Sequence, residues 1–375
     1  MKFRIDRDAL ADAVAWTART LPVRPPVPVL AGMHIEAGDR LRLSAFDYEV
    51  SAQVTTDIDV EEPGTALVSG RLLAEICRSL PPHPVEVTTD GAKVMLTCGS
   101  AKFTLMTMPV EDYPTLPEMP PVAGSVGSDE FAAAVGQVAI AAGRDDTIPM
   151  LTGVRVEIEG ETVTLASTDR YRLAVRQLKW KPEQPDFSAV ALVPAKTLSD
   201  TAKSLTSGAE VSIALASGGS GSGEGMIGFD GGGRRTTTRL LDAEFVKYQS
   251  LWPKETSAVA EVETGPFAEA VKRVGLVAEK NTPVRLSFRQ GEVVLEAGSG
   301  DDAQAVEVLG ASLEGQDIDV AFNPHFLLDG LSAIGSDVAR LAMTTSTKPA
   351  VMTGKPANDT DPDYRYLIMP IRLSS

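Results

Sequence analysis

The sequence predicts an α+β protein in which one domain plan is used three times. Three observations predict it. A helical stripe recurs as Leu10/Val14/Thr17/Leu21, Phe131/Val135/Val138/Ala142 and Phe267/Val271/Val274/Ala278, each with the i, i+4, i+7, i+11 spacing of a helix that buries one face. A second stripe follows in each third, at Leu72/Ile76/Leu80, Leu198/Ala202/Leu205 and Leu327/Leu331/Ile334. Between and after these helices, apolar residues alternate with polar ones, the period of half-buried strands. Leu10 and Phe131 stand 121 residues apart and Phe131 and Phe267 stand 136 apart, a period of domain length rather than solenoid length. A chain of 375 residues has room for several cores.

In the first third, strands are expected at 33–36, 41–44 and 49–54, a helix over 70–80 with Ser69 as its N-cap, then strands at 85–88, 94–98 and 103–106. The second third repeats this with strands at 154–158, 163–166 and 172–177, a helix over 195–206, and strands at 210–215 and 236–240. The last third has strands at 284–288, 293–297 and 305–309, then a helix over 324–335. Asn323 suits its N-cap and Pro324 its first turn. Strands at 338–343 and 366–371 close the chain. Tight turns such as Asp90-Gly91 make the sheets antiparallel, with two helices per domain gathered on one face. A proline-rich linker over 109–127 and a second near 252–257 divide the chain at 1–121, 122–253 and 254–375. The Gly/Ser-rich segment 217–233 reads as an extended hairpin loop that lengthens the second period.

Composition narrows the function. Hydrophobic content is 43%, ordinary for a globular chain, and no apolar run approaches bilayer length, so no membrane partner is expected. Residues 1–6 carry no apolar signal core. Cys77 and Cys98 have no metal-ligand spacing and read as small buried residues in a reducing cytoplasm. His34, His83 and His325 are scattered. The run 218–223 lacks the Gly-Lys-Ser/Thr of a phosphate loop, and imitates a nucleophile elbow only through low complexity. The acidic clusters Asp145-Asp146, Asp301-Asp302 and 358–363 read as solvated loops. No catalytic residue, metal or cofactor is expected. A hydrolase using Asp301-Asp302 and a purely protein-binding scaffold are the competing classes.

The net charge of −16 does not advertise nucleic-acid binding, yet bulk charge leaves a local basic face open. Three helical segments each net one positive charge: Arg71 and Arg78 against Glu75, Lys196 and Lys203 against Asp200, and Lys272, Arg273 and Lys280 against Glu269 and Glu279. Such faces on one surface attract phosphates without reading sequence.

Four stretches give the chain a family likeness. They are Met1-Lys2-Phe3, Arg24-Pro25-Pro26-Val27-Pro28-Val29-Leu30, Ala166-Ser167-Thr168-Asp169-Arg170-Tyr171-Arg172-Leu173-Ala174-Val175 and Tyr366-Leu367-Ile368-Met369-Pro370-Ile371-Arg372-Leu373. Together they resemble the bacterial DNA polymerase III beta subunit, the sliding clamp, over the whole chain.

The resemblance implies a homodimeric ring, helices inside and sheets outside, threaded by double-stranded DNA. The phosphate-facing set is then Arg24, Arg71, Arg78, Lys196, Lys203, Lys272, Arg273 and Lys280. It also implies a hydrophobic groove between the middle and last domains. There the DNA polymerase III alpha subunit, the clamp loader and repair polymerases dock short linear motifs. Carried over, the groove comprises Leu151, Thr168, Arg170, Tyr171, Arg172, Leu173, Val246, Leu251, Asn323, Phe326, Pro349, Leu367, Met369, Pro370, Ile371 and Arg372. Phe103, Leu105 and Leu276 are the implied subunit contacts. Two departures stand out. Arg170-Tyr171 replaces a frequent Gly-His and makes a more basic rim. Val246 replaces a usual proline, which marks a groove of altered affinity, as in a specialised or inhibitor-evading clamp.

Overall fold

A computed structural model gives the fold and describes every residue except Ser207 and segments 217–224, 279–281, 299–302, 357–360 and 373–375. The first helices of the three thirds are Arg7–Thr17, Ser128–Ala139 and Thr264–Gly275. The second helices are Gly70–Ser79, Ala195–Ser204 and Pro324–Ala333. Leu21, Ala142 and Ala278 fall beyond their helix ends. In the Gly70–Ser79 helix the buried face is Leu73/Ile76/Cys77, and Leu72 is 47% exposed. Both stripes satisfy helical spacing, and packing against the sheet selects one of them. Side chains cap where expected: Asn323 Oδ1 accepts from the amides of His325 at 2.9 Å and Phe326 at 3.3 Å, and Ser69 Oγ from Leu72 at 3.5 Å.

Each third closes its own apolar core around residues such as Val14, Val135 and Val271, all 1% exposed or less. Sheets, by contrast, run across the thirds. A nine-stranded antiparallel sheet passes from the middle domain to the first where Arg234–Arg239 pairs with Val50–Thr56. A twelve-stranded sheet passes from the middle to the last domain where Arg172–Lys179 pairs with Tyr364–Ile368. A five-stranded sheet completes the first domain and ends on Ala101–Met106.

Three expectations change. The end of the 109–127 linker is strand Val122–Gly127. The end of the 217–233 segment is strand Met226–Gly231, and 217–224 lies outside the described residues. Glycines at 124, 228 and 231 interrupt the apolar alternation that would have marked these strands. The last strand stops at Ile368, because Pro370 has no N–H to continue the ladder.

Candidate functional site

The site grows from one turn. After strand Thr162–Thr168, Asp169 Oδ1 accepts from the amides of Tyr171 at 3.0 Å and Arg172 at 3.1 Å. This Asx turn holds Arg170 at φ +81°, a left-handed conformation that non-glycine residues adopt only under such constraint. Thr168 Oγ1 locks the turn, donating to the Arg172 carbonyl at 2.6 Å and accepting from the Arg170 amide at 3.2 Å. The turn therefore throws Arg170 and Tyr171 outward and Arg172 inward.

Arg172 spans the joint between the middle and last domains. Its Nε donates to Asp169 Oδ2 at 2.9 Å and its Nη1 to Asp329 Oδ2 at 2.5 Å. The guanidinium lies 4.4 Å over the Phe326 ring, and Tyr171 stacks on that ring with centroids 6.2 Å apart. Burial alone would lower the Arg172 pKa, but Tyr366, Asp329 and Asp169 raise it overall. Tyr366 donates its hydroxyl to the Phe326 carbonyl at 2.8 Å and is itself shifted upward, first by burial.

Around this core lies a cleft of about 620 Å³, lined by Arg144, Asp145, Ile148, Leu151, Arg170, Tyr171, His325 and Phe326 among others. Beside it an apolar cluster of Ala166, Leu173, Val175, Tyr248 and Leu367 is flanked by half-buried Phe245, Val246, Trp252 and Met369. Arg365 stacks over Trp252 at 4.7 Å. An apolar concavity with a few polar groups at its rim suits an extended peptide with apolar anchors.

The expected groove residues separate into layers. Tyr171, Phe326, Val246 and Met369 stand at the surface or partly so, and Leu251 is 47% exposed. Leu151, Thr168, Leu173 and Leu367 are buried beneath. Asn323 acts as a helix cap. The tail crosses both domains: the Met369 amide donates to the Tyr171 carbonyl and the Ile371 amide to the Ala321 carbonyl, each at 2.8 Å. Pro349 and Pro370 are half-buried and Arg372 is exposed. Arg144, Ile148, Phe245, Trp252, His325 and Asp329 were missed. An isoleucine in the polar loop after a first helix was the available signal for Ile148.

Arg24, Arg71, Arg78, Lys196, Lys203, Lys272 and Arg273 are all exposed, while Lys280 lies outside the described residues. Their charges are not equally free. Lys272 pairs with Glu269 at 2.6 Å and Arg273 with Glu307 at 2.6 Å, whereas Arg71 donates to the Pro22 carbonyl at 3.1 Å and keeps its charge.

Of the expected subunit contacts, Leu105 proves to be a core residue of the first domain at 2% exposure. Strand Ala101–Met106 turns Leu105 inward and Met106 outward. Phe103 is half-buried, and Leu276 is 84% exposed. Val306 and Val308, at 64% and 53%, are further exposed apolar side chains on strand Ala305–Gly315.

Family models cover nearly the whole chain: DNA polymerase III beta subunit N-terminal domain at 1–117, central domain at 125–247 and C-terminal domain at 249–372. The chain belongs to the DNA polymerase III beta subunit family. It is 66% identical to a beta sliding clamp of Streptomyces coelicolor over all of both chains. It is 48% identical to the beta sliding clamp homolog GriR of Streptomyces muensis, again over both full chains. Among solved structures, a Pseudomonas aeruginosa sliding clamp bound to griselimycin aligns with TM-score 0.92 at 27% identity, covering both chains completely. A Bacillus subtilis clamp aligns at 0.91 and 26%, also completely. The chain is thus a DNA sliding clamp, a processivity component of replication. No described helix is long and apolar enough to cross a membrane.

Proposed function

We propose that two copies close head to tail into a ring around duplex DNA, with domains divided at 1–121, 122–253 and 254–375. The observation that carries this is a set of unused strand edges. Both joints inside the chain are antiparallel strand pairs, 234–239 on 50–56 and 364–368 on 172–179. Strand Ala101–Met106 ends the first domain's sheet as 234–239 and 364–368 would end theirs without a neighbouring domain. Its counterpart edge, by position in the domain plan, belongs to residues 305–311. Exposed edges of this kind invite pairing, and a heterologous contact that closes makes a ring.

DNA then runs along the helices, met by Arg24, Arg71, Arg78, Lys196, Lys203, Lys272, Arg273 and Lys280 as sequence-independent phosphate contacts. Retention comes from topology, so an acidic chain can hold DNA without tight contact. The groove described above takes short motifs of the polymerase III alpha subunit, the clamp loader and repair polymerases. The protein acts in the cytoplasm without catalysis. Loading onto nicked circular DNA tests the ring: the complex is expected to survive gel filtration in salt and to be lost when the circle is cut. Equal loss from both forms refutes it.

A second reading concerns the groove alone. Val246, half-buried on the groove's apolar cluster where a proline is usual, favours a groove of altered affinity.

A further inference from the structure

The two joints within the chain are built alike. At the first, Asp47 Oδ1 accepts from the amides of Glu49 at 2.9 Å and Val50 at 2.6 Å. Tyr48 there has φ +76°, as Arg170 has +81° at the second. The Arg239 amide donates to the Glu49 carbonyl at 3.0 Å, as the Met369 amide donates to the Tyr171 carbonyl at 2.8 Å. The helix facing the first turn starts at Ala195 and the helix facing the second at Pro324. Each carries an aspartate five residues on, Asp200 and Asp329.

One position differs in kind. Where the second joint has Arg172, the first has Val50. Val50 and Asp200 both line an open cavity of about 290 Å³. At the second joint Arg172 lies in the wall of the larger cleft described above, bonded to Asp169 and Asp329 and lying over Phe326. The counterparts of Tyr171 and Phe326 at the first joint are Glu49 and Thr197, which form no aromatic wall.

We propose that Arg172 is the positioning residue that makes the second joint, and not the first, a peptide site. This rests on the groove reading above. Arg172 is 9% exposed and its guanidinium is bonded to Asp169 and Asp329, so most of its surface is taken up by holding its neighbours in place. Its planar face backs the Phe326 ring, and that ring carries Tyr171. The aromatic wall is ordered before a peptide arrives, so binding does not bear the cost of ordering it.

The test titrates the clamp-binding peptide of a DNA polymerase III alpha subunit against the full chain and its variants. Arg172→Val, which installs the first joint's residue, is expected to weaken binding about tenfold, the loss from ordering one or two side chains. The Phe326 ring proton shifts should move with it. Arg172→Lys restores charge but no planar face, and should recover only part of both. If Arg172→Val fails to fold, Asp329→Asn detaches the guanidinium from the helix and should act in the same direction. No binding by the unaltered chain would overturn the groove reading itself. Unchanged affinity in the variants, or lost affinity with unmoved Phe326 shifts, would overturn the role of Arg172.

Discussion

Val246 shows how one backbone constraint reaches the groove. It packs half-buried on the Leu173/Leu367 cluster, and the Tyr248 amide folds back onto its carbonyl at 2.8 Å. Proline at such a position narrows the free segment's conformations, worth about 0.4–1 kcal/mol where the backbone already fits. Val246→Pro is therefore expected to tighten peptide binding about two- to fivefold, read by isothermal titration; equal affinity removes Val246 as a determinant. A different single residue contributes to pH behaviour. His34 stacks on Tyr113 of the linker with centroids 5.8 Å apart, and burial lowers its pKa below 6.5, despite Glu36 acting the other way. Burial also pushes the Tyr113 hydroxyl up to about 12. Below pH 6.5 the unfolded chain takes up the proton first. Stability contributed by neutral His34 is complete above 6.5 and falls as pH drops through the lowered value. Melting curves recorded as pH is lowered from 6.5 should show a smaller loss in His34→Phe than in the unaltered chain.

At the scale of elements, the helix Pro324–Ala333 is fixed by what it touches. Gly330 faces the Tyr366 ring so closely that an added Cβ would meet it at 2.7 Å and Met352 Sδ at 3.3 Å. Alanine would gain about 1 kcal/mol in helix propensity, yet overpacking costs about 1–3 kcal/mol. Tyr366 is fully buried and bonded to the Phe326 carbonyl, so it cannot yield and the cost wins. Gly330→Ala should lower the melting temperature and weaken peptide binding together; a raised melting temperature would contradict this. The same helix shows what sequence can reveal. Asn323, Pro324 and the Leu327/Leu331/Ile334 stripe specify it locally, so it was legible. Leu72 was misassigned because two stripes fit one short helix, and only the sheet beneath chooses between them. Strand Met226–Gly231 was hidden by its own glycines. Arg172 was legible as part of a motif but not as a bridge, since its partner Asp329 lies 157 residues away.

On the scale of the whole molecule, repetition makes the strongest prediction. In the proposed ring, a chain that joins its own domains twice by sheet continuation offers one donor strand and one acceptor edge, and two chains would satisfy both at once. Leu276, 84% exposed at the end of the Thr264–Gly275 helix, is out of place on a free surface. The neighbouring Arg273 reaches strand Ala305–Gly315 through Glu307, which puts Leu276 close to the acceptor edge. Burying one leucine contributes about 1.5–3 kcal/mol. A two-chain ring has two identical joints, so Leu276→Asp removes that contribution twice and adds two desolvated carboxylates. The unaltered chain of 39.7 kDa should then sediment at about twice its mass. Leu276→Asp should sediment as a single chain at micromolar concentration, still folded because the side chain touches no core, and with a melting temperature lowered only by loss of the association. It should also no longer be retained on circular DNA. Two-chain mass in Leu276→Asp would place the joint elsewhere, and single-chain mass in both would leave the ring without support.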